Sequence, residues 1–269
     1  MEQHFNTPAE VIDTNMKAGE GKAHLPLGKM ILLGIMAGAF IALGGATSST
    51  AAHGIDNVGL ARFVAGIIFP VGLMIIVFVG GELFTGNCLI VMDVVGKKVT
   101  WFECIRNLIV VYFSNLIGAL IIDTLIYFSG NLDYTGGLLG AYAIKVAVGK
   151  VGISPLKGIT SGILCNILVC IAILMAAAAT DIVGKIWAIF FPIMAFVVGG
   201  FEHCVANMYY IPAGLIAARN QNYVQMAMDT YGYTADQLAS LNLYGFFVKN
   251  LVPVTIGNII GGAVLGLIL

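Results

Sequence analysis

Six stretches of the chain stay apolar long enough to cross a hydrocarbon layer, which takes about 20 helical residues. Residues 30–52, 158–180 and 250–269 carry no acidic or basic side chain, and residues 102–128 carry Arg106 near the start and Asp123 near the end. The other two, 63–95 and 184–218, are too long for one ordinary crossing. Both are interrupted by a matching signature, Val79-Gly80-Gly81-Glu82 and Val198-Gly199-Gly200-Phe201-Glu202. The pattern predicts a half helix, a short unwound loop and a second half helix at each place. The expected fold is all-α, six transmembrane helices with the second and fifth broken.

Composition agrees. Hydrophobic residues make up 59% of the 269, charged residues only 10%, and the mean hydropathy is +0.96. Those values lie outside the range of water-soluble domains. Glycine is abundant at 34 residues, as expected where helices pack through small side chains in lipid. The lysines are scattered and no aromatic residues interleave with them, so nucleic acid is not an expected partner. Cys88, Cys104, Cys165, Cys170 and Cys204 are odd in number and sit in apolar runs. They read as free packing thiols, with no metal or other cofactor called for.

The chain repeats itself in order. Residues 34–38 of the first span match 158–162 of the fourth, the Val-Gly-Gly breaks match between the second and fifth, and 115–119 of the third match 258–262 of the sixth. With three spans per repeat, about 26–128 and 155–269, the halves must cross the membrane in opposite senses. That is a 3+3 inverted repeat with the conduction site at the midplane between the broken helices. Residues 26–269 form one transmembrane channel domain on this reading, and 1–25 an amino-terminal amphipathic segment.

An unwound backbone in lipid costs several kcal/mol per unsatisfied polar group, so residues 82–87 and 201–204 should line protein or water. The second half of each broken helix, starting near Asn87 and near Cys204, should aim its amino terminus at the midplane, where free amides and the aligned dipole favour an anion. Thr85 and Asn87 are suited to cap the first of these ends. Leu83, Phe84, Leu73 and Phe196 are apolar and predict a passage pinched by side chains that rejects hydrated cations.

His203 is the histidine placed deep in an apolar run. An imidazole at that depth is a functional group by default; the other reading is a structural histidine bonded to Thr85 or Asn166 across the bundle. Glu82 and Glu202, one residue from the breaks, read as structural pins that bond freed amides. Asn166 and Asn207 suit either the loops, the solute or polar packing between helices.

Thr7, Pro8 and Glu10 form a capping box, followed by Val11, Ile12 and Met16 on a helical stripe. A short amphipathic helix along the membrane face follows, either an anchor or a gate over the pore mouth. Lys17, Lys22, Lys29, Lys97 and Lys98 place the amino terminus in the cytoplasm, although Lys145, Lys150 and Lys157 then fall outside.

The stretches Glu82-Leu83-Phe84-Thr85-Gly86-Asn87, 200–208 and 253–262 resemble the formate/nitrite transporter family, and the similarity covers nearly the whole chain. The resemblance implies an aquaporin-like six-span protomer in the cell (cytoplasmic) membrane, a homopentamer with one pore per subunit, and passage of small monovalent weak-acid anions: formate, nitrite or hydrosulfide. It implies Thr85 and His203 as the central pair, Leu83, Phe84, Leu73, Phe69 and Phe196 as constrictions, and Asn166 and Asn207 as supports of the histidine. It also implies Lys150 as a vestibule lysine, where the sequence alone offers a loop lysine. Glu82, Gly86, Asn87 and Tyr209 depart from the formate channel's pattern beside the selectivity region, which leaves the choice among the three anions open. Conduction with no covalent step is the expected activity, with the anion neutralised by a proton from imidazolium or from water through it. The alternative is an aquaporin-type channel for small neutral solutes, which the absence of Asn-Pro-Ala and the midplane histidine argue against. An intramembrane enzyme is more distant, since no paired carboxylates, metal ligands or nucleophile arrangement stands out.

Overall fold

A computed structural model describes residues 5–269 as an all-helical protein. An amino-terminal helix, α1 (Pro8–Ala23), leads into α2 (Leu27–Ala52), the first of six spans. The second span is α3 (Val58–Ile68) and α4 (Val71–Val79); it bends at Pro70, which has no N–H to give to the preceding turn. After the break come α5 (Phe84–Asn87), a 3-10 turn (Cys88–Ile90) and α6 (Val91–Val95). The third span is α7 (Trp101–Phe128), followed by α8 (Leu138–Val151), a helix too short and too lysine-bearing to stand out as a span. The fourth span is α9 (Pro155–Ala178), and the fifth is α10 (Ile182–Gly199) with α11 (Cys204–Ala217) beyond its break. Two surface helices, α12 (Gln221–Tyr231) and α13 (Ala235–Ala239), precede a π-helical turn (Gly245–Leu251) that opens the sixth span, α14 (Val252–Ile268).

The inverted repeat is visible in the packing. Helix α2 lies along α7 as α9 lies along α14, and glycine lets each pair approach backbone to backbone. A Cβ at Gly118 would run into the Ile35 carbonyl, and one at Gly261 into the Ile163 carbonyl. Asn115 donates to the Gly34 carbonyl at 2.7 Å and Asn258 to the Gly162 carbonyl at 2.8 Å. Gly34 therefore corresponds to Gly162, one helical turn beyond the Gly158 of the sequence register. Small residues at 158 and 162 share one helix face, so sequence spacing alone does not choose between them.

Both breaks fall where the glycine pairs predict. Gly80 has φ +104° and Gly200 φ +70°, conformations that residues with a Cβ rarely adopt. The second half of the first broken span begins at Phe84, not near Asn87, so Thr85 and Asn87 lie in the helix and not in the loop.

Helix α1 keeps its capping box, with Thr7 and Glu10 bonded reciprocally. It docks on the channel: Asn6 donates through its backbone and side chain to Ala178 and Ala177 at the end of α9, each at 2.8 Å. It also lies so close to α6 that a Cβ at Gly19 would run into the Asp93 carboxylate.

Candidate functional site

Two asparagines hold the breaks open. Asn115 Oδ1 accepts the Phe84 amide at 3.0 Å, while its Nδ2 donates to the carbonyls of Gly34 and Glu82. Asn258 does the same in the other half, accepting the Cys204 amide at 2.9 Å and donating to the Gly162 and Glu202 carbonyls. Each fully buried side chain thus replaces the backbone bonds that unwinding removed. The capping expected of Thr85 and Asn87 falls to Asn115 instead, which comes from a different span.

A second pair of clusters flanks the breaks. On one side Asn207 donates to Glu202 at 2.6 Å and to Asn250 at 2.7 Å, Asn250 donates to the Lys150 carbonyl, and the Lys150 ammonium bonds both Glu202 oxygens at 2.9 and 3.1 Å. On the other side Asn87 donates to Glu82 at 2.6 Å and to Asn107 at 2.8 Å, and Asn107 donates to the Lys22 carbonyl. There the Lys22 ammonium lies 3.8 Å from Glu82 and donates to Asn87 at 2.8 Å. Helix α1 is thereby the counterpart of α8, and Lys22 of Lys150. The twofold relation reaches beyond the limits near 26 and 155 that the spans alone suggest.

These clusters correct the sequence reading of the carboxylates. Glu82 and Glu202 sit at the breaks but take an asparagine and a lysine, not freed amides. Their own amides go to the Leu33 carbonyl and to Ser161 Oγ. Lys22, read only as a topology marker, joins the site; its distance of two spans from Glu82 in sequence hid the contact.

Between the clusters Thr85 Oγ1 and His203 Nε2 meet at 3.0 Å, both buried. His203 is also the N-cap of α11: its Nδ1 accepts the Ala206 amide at 3.0 Å. An accepting Nδ1 carries no proton, so the neutral ring keeps its one hydrogen on Nε2 and gives it to Thr85. The Thr85 hydroxyl hydrogen is then free to turn elsewhere. Asn166 and Asn207 do not bond the imidazole as the resemblance implies. Asn166 donates to the carbonyls of Thr85 and Asn258, fixing the hydroxyl's helix instead of the ring.

Phe69 and Phe196 pack edge to face with centroids 5.5 Å apart, and Phe196 stacks on His203 at 5.8 Å. Above them opens a cavity of about 820 Å³ whose wall includes Lys150, Glu202, His203, Phe69 and Phe196. Leu73, Leu83 and Phe84 are buried in the same apolar core, with Phe84 edge to face on Tyr112 at 4.9 Å. The arrangement is a wide antechamber walled by apolar and charged side chains, an aromatic pinch, and a paired hydroxyl and imidazole behind it.

A family model described as formate/nitrite transporter matches residues 9–269. The chain is 39% identical over 264 residues to the formate channel FocA of Haemophilus influenzae, covering 96% of this chain and 91% of that one. It is 36% identical to a probable formate transporter of Methanothermobacter thermautotrophicus, with 98% and 95% covered. Among solved structures, a pentameric formate channel with formate bound superposes with a TM-score of 0.80 at 35% identity, covering 89% of this chain and 94% of that one.

Proposed function

The chain belongs to the formate/nitrite transporter family, and from that premise we propose that it conducts formate, and with it other small weak-acid monoanions, through one pore in each subunit of a homopentamer. Thr85 and His203 are the observation that carries this reading. With the Nε2–H held by the Thr85 oxygen at 3.0 Å, the Thr85 hydroxyl hydrogen is the donor left for a carboxylate oxygen behind the aromatic pinch, and an anion that displaces the Thr85 oxygen takes the Nε2–H as its second donor. The anion reading also follows the relatives, which are named as formate channels and transporters; nothing comparable supports the neutral-solute alternative.

Lys150 gathers anions in the wide vestibule and Lys22 in the opposite one, each with its charge partly balanced by a glutamate. An anion that enters the pinch leaves its water behind, and an unpaired charge there is expensive. A proton relieves the cost by converting formate to the neutral acid. Of the two routes for that proton, water in the vestibule fits better than imidazolium. A second proton on His203 would sit on Nδ1 and face the Ala206 N–H, breaking the cap of α11. His203 and Thr85 hold and orient the solute, and Leu73, Leu83, Phe84, Phe69 and Phe196 exclude ions that cannot shed their charge. The lysine pattern supports an amino terminus in the cytoplasm, with the Lys150 vestibule outside.

The test is labelled-formate flux into proteoliposomes across a pH series. His203→Asn retains a short side chain able to accept the Ala206 amide but withdraws the Nε2 donor; Thr85→Val removes the hydroxyl at nearly constant volume. Each is expected to lower flux at least tenfold, about the loss of one charge-assisted hydrogen bond. Wild-type rates and pH profile in both variants would refute the assignment. Competition by nitrite and hydrosulfide then ranks the anions.

A further inference from the structure

The Lys150-side cavity is far larger than a formate channel needs. About 820 Å³ lies within the range of pockets that hold drug-sized molecules, whereas formate has three heavy atoms. Its outer wall is also built differently from its floor. Lys145, exposed on α8, places its ammonium 4.5 Å from the Tyr231 ring centroid and 5.5 Å from that of Tyr142. Among the described residues no carboxylate lies within 4.0 Å of it, in contrast to Lys150, which Glu202 occupies. Tyr233 extends this wall, its hydroxyl donating to the Lys145 carbonyl at 3.3 Å and its ring 6.5 Å from that of Tyr231. Arg62, across the cavity, donates to the Val198 carbonyl at 3.3 Å and likewise has no acidic partner within 4.0 Å. Among the described residues the lining holds Lys145, Lys150 and Arg62 against the acids Asp56 and Glu202.

We propose that this vestibule binds single-ring aromatic carboxylates, the carboxylate meeting Lys145 and the ring lying against Tyr142, Tyr231 and Tyr233. The two rings beside the Lys145 ammonium hold it at the cavity wall, where a carboxylate meets it in a charge-assisted bond. The tyrosine rings supply flat faces for offset or edge contact with a ligand ring. Burial, and after it the neighbouring Tyr142, Tyr233 and Asp56, push the Tyr231 phenol up to about 12, so at working pH the ring itself is a neutral surface. The aromatic pinch of Phe69 and Phe196 closes the way inward, so such a ligand is held, not carried. The site is thus one of occlusion, reached from the cavity's open side.

The probe is benzoate, titrated calorimetrically into the purified, detergent-solubilised full chain, with formate and the uncharged benzyl alcohol in parallel. Benzoate is expected to bind at least tenfold more tightly than formate, benzyl alcohol not measurably, and Lys145→Gln to raise the benzoate dissociation constant about tenfold. Tyr231→Ala should weaken benzoate while leaving formate unaffected. Equal benzoate affinity in wild type and Lys145→Gln, or benzyl alcohol binding as well as benzoate, overturns the proposal, as does no benzoate binding at all. Binding is read without transport, so a failure to conduct formate would sink the channel reading and leave this one standing. Where flux is present, benzoate added on the vestibule side should reduce it.

Discussion

Asn115 and Asn258 each close three buried hydrogen bonds at a helix break. Asn115→Ala would leave the Phe84 amide and the Glu82 carbonyl at the break without this partner, while the Gly34 carbonyl keeps its helix bond in α2. Leaving such groups unmet costs about 1–3 kcal/mol each, so Asn115→Ala and Asn258→Ala should lower thermal stability in detergent far more than an alanine at exposed Asn222. Melting temperatures equal to wild type would show that the breaks are held by something else. At this scale the sequence pointed to Thr85, His203, Glu82 and Glu202 because each is a polar group in an apolar run. It marked Asn115 and Asn258 only as repeat positions. Their partners lie 31 to 81 residues away for Asn115 and 54 to 96 for Asn258, and spacing within one helix carries no trace of them.

Elements were legible where a backbone rule governs them. The glycine pairs fix the ends of α4 and α10, since a left-handed φ there excludes most other residues. The start of α5 was misplaced by about one turn because its cap is a side chain from α7, and local cap chemistry drew attention to Asn87 instead. Helix α8 escaped notice because its apolar run is short and broken by Lys145 and Lys150; it is buried through contacts with α11, where a Cβ on Gly214 would run into Ala147. Close glycine contacts between elements yield a direct test. Gly118→Val puts a Cβ carrying two methyls where the Ile35 carbonyl stands, forcing α2 and α7 apart and opening the wall beside Asn115. Gly21→Ala, on the exposed face of α1 with open space around it, should instead stabilise that helix by up to about 1 kcal/mol. A thermal scan that ranks the two variants the other way would contradict this account of the packing.

The whole molecule is a twofold arrangement that uses different chemistry at equivalent places. Thr85 belongs to one half and His203 to the other, so the donor pair exists only where the two repeats face each other. The flanking clusters are equivalent in layout and unequal in strength. Lys150 is held by two short bonds to Glu202, on a helix packed into the bundle, whereas Lys22 approaches Glu82 only to 3.8 Å and rides on an arm packed against α6 and the end of α9. On the proposed path, the amino-terminal helix brings a cation to the Glu82 cluster. Lys22→Gln leaves Glu82, buried at the break and bonded by Asn87, without its cation on the arm's side, and a like charge beside a narrow path repels incoming anions. Formate entry from that side should fall about tenfold at low salt and recover as salt is raised, while entry from the Lys150 side changes less. Removing residues 1–24 takes away the same cation and should reproduce the directional loss. Flux measured in both directions on oriented vesicles decides the matter: if both variants match wild type from both sides, α1 is only an anchor and Lys22 has no part in the path.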